Sequence, residues 1–390
     1  MVFLIKKICK YFLLFLLLIS IITINPISSK NIDKSSYNST LYVGGSGPGN
    51  YTGYDALRRA YSDAVSGDRI FIYNGEYKEY INIEKQIILQ GESKYNSILL
   101  YEIKISCDNV TIKNLKLTRY SDTQSGNIGL KINGNNTKII DNYICNFTAQ
   151  SANNGKGIDL SSGFCNNLIS DNIFENNTAA AVYINKNSNN NIITNNEIFN
   201  TCSNGIRIDS YSNDNIISGN TITNTRQGSG VGVYGYALNN LITNNILREN
   251  EMGLDVQTRC GNNNFTNNLI EDNEIGIRIH TSDNNSFTYN LLKNNEKGLS
   301  LYYSYDNFIK NNDFISNTKD TDIKKRGTDD IILSILSMDT NTFSENYWGH
   351  SRIFPKFIIG KIEIPPIIII TVKFIVEIDW QPAKTLNCDF

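Results

Sequence analysis

One outline recurs through most of this 390-residue chain, and the stretch from Gly205 to Asn224, GIRIDSYSNDNIISGNTITN, shows it complete. A glycine opens a short alternation, Ile206-Arg207-Ile208, and a polar bend follows; Ile217 then precedes Asn220 by three places and Ile222 follows it by two. The marker Asn stands at 114, 142, 172, 196, 220, 245, 268, 290, 312 and 346, so successive steps are 28, 30, 24, 24, 25, 23, 22, 22 and 34. Steps of this size signal a solenoid, in which a repeat can bury its apolar face only against its neighbours.

From Asn142 onward the residue three before each marker and the residue two after it are apolar, while the Asn114 repeat is looser. A small residue opens a G-I-x-I segment in each repeat from Gly129 to Gly298, with Ala181 in one of them. Three short apolar strands per repeat suit one triangular coil of a parallel β-helix. Leucine-rich repeats would show Leu at several fixed places, and helical repeats need longer amphipathic segments. In a coil both Ile of G-I-x-I point inward and stack on the next turn about 4.8 Å away. Asn is the commonest polar residue, at 58 against 6 Pro. It tolerates the left-handed backbone of a bend, and its amide can bond the Asn of the neighbouring coil. The expected fold is all-β: a single-stranded right-handed parallel β-helix of about ten coils, over residues 41–348.

The ends differ from the repeats. Residues 1–30 place Lys6, Lys7 and Lys10 before an apolar run from Tyr11 to Ile24, the order of an export signal or an N-terminal membrane anchor. A secreted or cell-surface protein follows from it. Asp55 to Ala64 puts Ala56, Leu57, Ala60 and Ala64 on one helical face, a helix placed to cap the open end of the stack. Residues 318–339 read as an enlarged bend or the start of a C-terminal cap. Residues 349–390 form that cap or tail; Trp348 falls in an inward slot and Trp380 near its end. Ile364 to Ile378 is broken by Pro365, Pro366, Lys373 and Glu377, so it reads as strand rather than membrane span.

A net charge of −2 and a pI near 5.9 give no basic excess, which argues against nucleic acid as a partner. The seven Cys, Cys9 among them, fit no zinc spacing and read as small buried hydrophobes or one or two disulfides. Copper handling favours His, Met and Cys; with only His280 and His350, and Met252 and Met338 beyond the leader, direct copper binding is not expected.

The entry segment LYVGGSGPGNYTGYDALRRAYSDAVSGDRIFIYNGEY, the ladder of N-x-I and G-I-x-I units, and the closing NYWG with a later DWQPA resemble NosD-like and pectate-lyase-like right-handed β-helix proteins, in the exported form common in archaea. The resemblance spans roughly Leu41 to Trp348. It implies carbohydrate binding, or polysaccharide lyase, epimerase or hydrolase activity, or a role in copper maturation of a reductase.

The middle residue of G-I-x-I faces outward, giving a row Lys131, Asp159, Tyr183, Arg207, Gly232, Asp255, Arg278 and Ser300. Two places on runs a second row, ending Asp209, Tyr234, Gln257, His280 and Tyr302. In register, Arg207, Tyr234, Gln257 and Tyr302 are candidates to hold a polysaccharide, and Asp209, Asp255, Arg278 and His280 are candidates for its cleavage. The same groups also suit a merely solvated face, with Asp255 and Arg278 as an ordinary cross-strand ion pair in a structural or adhesive protein. The GHG and RIK elements of polygalacturonases and the DPH element of alginate epimerases are not met. Asp209 and Asp255 could offer oxygens to a calcium ion.

Overall fold

The computed structural model describes residues 38–119, 128–148, 154–326, 341–349, 356–364, 370–379 and 382–388. The leader expected at 1–30, Trp380, His350 and the apolar piece Ile331 to Leu336 lie outside them. Among the described residues no helix is long and apolar enough to cross a membrane.

Short strands stack into sheets of 13, 11 and 13 strands, called here the first, second and third. Each coil feeds them in turn: Ile206–Ile208 joins the third sheet, Ile216–Ser218 the first and Thr221–Thr223 the second. Ile193, Ile217, Ile242 and Phe265 stand side by side on successive coils, as do Ile198, Ile222, Leu247 and Ile270, and all are fully buried. Each such side chain contributes about 1.5–3 kcal/mol, but only with a neighbouring coil to cover it. Gly205 is small for a related reason. A Cβ there would lie 2.7 Å from the Gly230 carbonyl oxygen of the next coil and 2.4 Å from Ile222 Cγ2.

The two tasks expected of the marker Asn fall on two residues. The left-handed backbone belongs to the residue before it: Asp171, Asn195, Gly219 and Asn244 have φ of 58°, 54°, 64° and 55°. The marker turns inward instead. Asn220 is fully buried, and its N–H and Nδ2 both donate to Asn245 Oδ1, at 2.9 and 3.0 Å, while Nδ2 also reaches the Ile193 carbonyl. The pair recurs at all three bends of the coil, as Asp214-Asn215, Gly219-Asn220 and Asn224-Thr225. Three buried ladders result, one through Asn215 and Asn240, one through Asn220 and Asn245, one through Asn250 and Asn273. Asn114 is a correction: its φ is 59°, and Leu115 occupies the ladder place, its N–H donating to Asn142 Oδ1 at 3.1 Å. That repeat looked loose because its marker was one residue early.

At the start of the stack the helix, α1 (Ala56–Asp63), lays Ala56, Leu57 and Ala60 on strands Thr40–Val43 and Arg69–Ile72. Asp55 makes no side-chain cap; Glu79 accepts from the Leu57 and Arg58 N–H groups instead, at 3.2 and 2.7 Å. Lys85 binds the carbonyls of Tyr61, Ser62 and Ala64 at the other end, as the helix dipole favours.

At the far end Lys319–Arg326, within the segment expected to be an enlarged bend or the start of a cap, is a strand of the third sheet. Lys356–Ile364 pairs with it in parallel and Ile370–Asp379 returns antiparallel, which ends the stack. Asp379 terminates the marker ladder, accepting from Asn346 N–H and Nδ2 at 3.2 Å and from Trp348 Nε1 at 3.0 Å. Cys107, Cys145, Cys165, Cys202, Cys260 and Cys388 form no disulfide with one another, so that alternative is not met among them; Cys145 and Cys260 are buried as small hydrophobes.

Candidate functional site

The outward rows of the third sheet are in register, because parallel pairing with a two-residue side-chain period keeps one residue type above the next. Lys131 pairs with Asp159, Tyr183 with Arg207, Gly232 with Asp255, and Arg278 with Ser300. Asp322 extends the row beyond Ser300. The sequence pattern hides it, because residues 318–339 read as an enlarged bend or the start of the C-terminal cap, although Asp322 keeps the 22-residue step from Ser300.

Outward does not mean solvated. Asp255 is 1% exposed, for the side chains around it lie down over the sheet. Arg278 clasps it with Nε on Oδ1 at 2.8 Å and Nη2 on Oδ2 at 2.9 Å. Tyr234 donates its hydroxyl to Oδ2 at 2.9 Å and Gln257 donates Nε2 at 2.6 Å. The Tyr234 ring can reach back because Gly232 has no side chain, a Cβ there falling 2.4 Å from ring atom Cε2. Asn204 Nδ2 donates to the same hydroxyl at 2.9 Å. Burial, with the Asp255 charge second, pushes the Tyr234 hydroxyl well above its usual range, so it stays a proton donor.

The same unit recurs on either side. Tyr183 donates to Asp209 Oδ2 at 2.9 Å, and Arg207 Nη2 binds that oxygen at the same distance. The Arg207 guanidinium lies 4.6 Å from the centroid of the Tyr234 ring, joining this unit to the next. Burial acts to raise the Asp209 carboxyl, but Arg207 and the Tyr183 and Ser210 hydrogen bonds outweigh it and hold the group below its ordinary value. Further on, Tyr302 donates to Asp322 Oδ2 at 2.7 Å, and Lys319 binds the other oxygen at 2.6 Å. Burial and then Asp322 raise the Tyr302 hydroxyl to about 12, and burial and then Asp209 raise Tyr183 to about 12. His280 stands edge-on to Tyr302 and Tyr303, with centroids 6.5 and 5.9 Å away, half-exposed and apart from the carboxylates.

All eight candidate residues therefore lie along one face, in two clusters. Arg207, Asp209, Tyr234, Asp255, Gln257 and Arg278 form a continuous network; His280 and Tyr302 form a second with Asp322. Among the described residues no three His, Cys, Asp or Glu side chains are grouped to hold a metal ion.

Residues 101–270 match the family model described as right handed beta helix region, and residues 215–352 match that of the periplasmic copper-binding protein NosD. No curated protein sequence matches the chain. Among solved structures it is similar to the A-module of the Azotobacter vinelandii mannuronan C-5 epimerase AlgE4, at 14% identity and a TM-score of 0.61, over 85% of this chain and 93% of that one. It is also similar to the Dettilon tailspike protein, at 14% and 0.51 over 70% and 61% of the two chains. A GH136 lacto-N-biosidase from Eubacterium ramulus gives 14% and 0.51 over 73% and 64%. At these identities the likeness is one of fold. The chain folds as a right-handed parallel β-helix, and its residues 215–352 are similar to the NosD family.

Proposed function

We propose that this is an exported protein that binds a polysaccharide along the outer face of its third sheet. The observation carrying the reading is the repetition of one unit, a tyrosine hydroxyl on a carboxylate of the next coil, at Tyr183 and Asp209, Tyr234 and Asp255, and Tyr302 and Asp322. Such a face holds polar groups and ring edges rigidly at whole-coil steps, the three tyrosines lying two and then three coils apart, which suits an extended polymer and lowers the entropic cost of binding it. The occurrence of a mannuronan epimerase, a tailspike and a lacto-N-biosidase among proteins of this fold supports a sugar ligand. Export is supported by the charge and hydropathy order of residues 1–30 and by the periplasmic description of the NosD family.

Binding is favoured over a lyase, epimerase or hydrolase because Asp255 spends both oxygens on four donors and is buried, whereas a general acid or base needs a carboxyl free to exchange a proton. The copper implied by the NosD description does not fit the described residues. Among the described residues no group of three His, Cys, Asp or Glu side chains that could hold a metal ion includes His280, and Met252 is buried. The test is purified protein incubated with acidic and neutral polysaccharides. Retention on at least one, without new reducing or unsaturated ends, is expected; no retention on any would sink the reading.

A further inference from the structure

Beside the third-sheet face, the bend that follows it holds a residue in the left-handed conformation on six successive coils: Asn187, Tyr211, Tyr236, Arg259, Thr281 and Tyr303, with φ from 47° to 63°. Asn or Gly meets this geometry without strain, and most other bends of the molecule use Asn, Asp or Gly. Tyrosine does not, since it carries the Cβ that glycine lacks and has no short amide, as Asn has, to offset the crowding with a local hydrogen bond; a bulky residue there is an outlier. Three tyrosines in one such row is an outlay that the fold itself does not require.

What the tyrosines build is a short stack. Tyr211 and Tyr236 lie face to face, centroids 5.1 Å apart and planes 7° from parallel. On the next coil the Arg259 guanidinium lies 5.7 Å from the Tyr236 centroid and donates Nη1 to its hydroxyl at 2.9 Å. The stack stops at Tyr211, because the residue beneath it on the previous coil is the short Asn187, whose N–H pairs with the Ser210 carbonyl. The Tyr211 side chain is correspondingly exposed, at 46%. Lys186 and Arg259, both exposed, lie on either side of the tyrosine pair. Among the described residues neither has a carboxylate within ion-pair distance, whereas Arg207 and Arg278 of the adjoining face are both paired.

We infer that the end of this stack is a glycan subsite: a sugar ring packs its C–H face on the open side of Tyr211, and Lys186 and Arg259 bind acidic groups of the same chain. Aromatic faces attract the polarised C–H edges of a ring, and two unpaired cations select an anionic ligand. Lys186 and Arg259 stand three coils apart, about 14 Å at ~4.8 Å per coil, so an oligosaccharide rather than a single sugar reaches both. The inference rests on the carbohydrate reading above and adds to it a place and a charge class. Single-stranded nucleic acid offers the same chemistry, but a net charge of −2 disfavours it.

The test uses polygalacturonate oligosaccharides of increasing length, their carboxyl-reduced counterparts, and oligothymidylate, with affinities measured by calorimetry on the purified protein. We expect the acidic sugars to bind more tightly as length grows and the reduced sugars at least tenfold more weakly. Tyr211→Asn is expected to lose tenfold or more in affinity while its thermal midpoint holds or rises, since Asn suits the left-handed backbone. Arg259→Gln and Lys186→Gln should each lose several-fold and flatten the salt dependence. Wild-type affinity in Tyr211→Asn, a fall in its midpoint, or tighter binding of oligothymidylate overturns the inference. If Arg207→Gln abolishes binding where Tyr211→Asn does not, the sheet-face reading survives and this subsite falls. If no sugar, acidic or reduced, binds the wild-type protein, both fall.

Discussion

Arg278 grips Asp255 from the next coil through two nitrogens, at 2.8 and 2.9 Å, and the carboxylate it holds is 1% exposed. A surface ion pair of the kind expected from the sequence is worth a few tenths of a kcal/mol, but a buried carboxylate stripped of its cation is costly. Arg278→Ala is therefore expected to destabilise the protein by about 2–4 kcal/mol in urea unfolding. Asp255→Asn with Arg278→Leu should recover a large part of that loss, since it removes both charges together.

Gly232 makes room for the Tyr234 ring. Gly232→Ala should push the ring off Asp255 and Asn204 and cost about 1–3 kcal/mol, the usual range for a side chain forced into filled space. Tyrosine fluorescence together with the urea midpoint reports it; an unchanged midpoint would show that the ring has another place to go.

The ladders should be intolerant in the middle and particular at the end. Asn220→Ala removes the Oδ1 that accepts from Asn196 N–H and Nδ2; Nδ2 keeps the Ile169 and Thr194 carbonyls, but the buried N–H is left unpaired, at a cost of about 1–3 kcal/mol. Asp379→Leu does the same to Asn346 and Trp348, whereas Asp379→Asn keeps an acceptor and should be milder. Ranking the thermal midpoints of the three variants checks the order.

Acid should loosen the third-sheet face first. Asp209 and Asp322 both lie below the ordinary 3.8; burial opposes this in each, and for Asp209 the Arg207 charge, for Asp322 the Lys319 hydrogen bond, leads what overcomes it. A depressed value means the folded state binds fewer protons, so this stability is complete above the unfolded value and drains as pH falls from about 4 through the folded values. Urea midpoints at pH 6 and pH 3 should differ less in Asp209→Asn with Asp322→Asn than in the wild type.

Much of this protein was already legible in its repeats. Alternation in Ile206-Arg207-Ile208 determined which side chains enter the core, because a strand turns every second residue to the same face. The step of 22 to 25 residues determined that strands pair with the next coil rather than with their sequence neighbours. Other matters depended on where distant atoms meet. Only the coil's closure divided the bend between a left-handed residue and a buried Asn, since both conformations are open to Asn in isolation. Only the packed face put Asp255 under Arg278, Tyr234 and Gln257, because the space above Gly232 is visible to a side chain and not to a sequence pattern. Asp379 became the end of a ladder because the antiparallel return of its strand carried it to Asn346, and nothing local to residue 379 specifies that encounter.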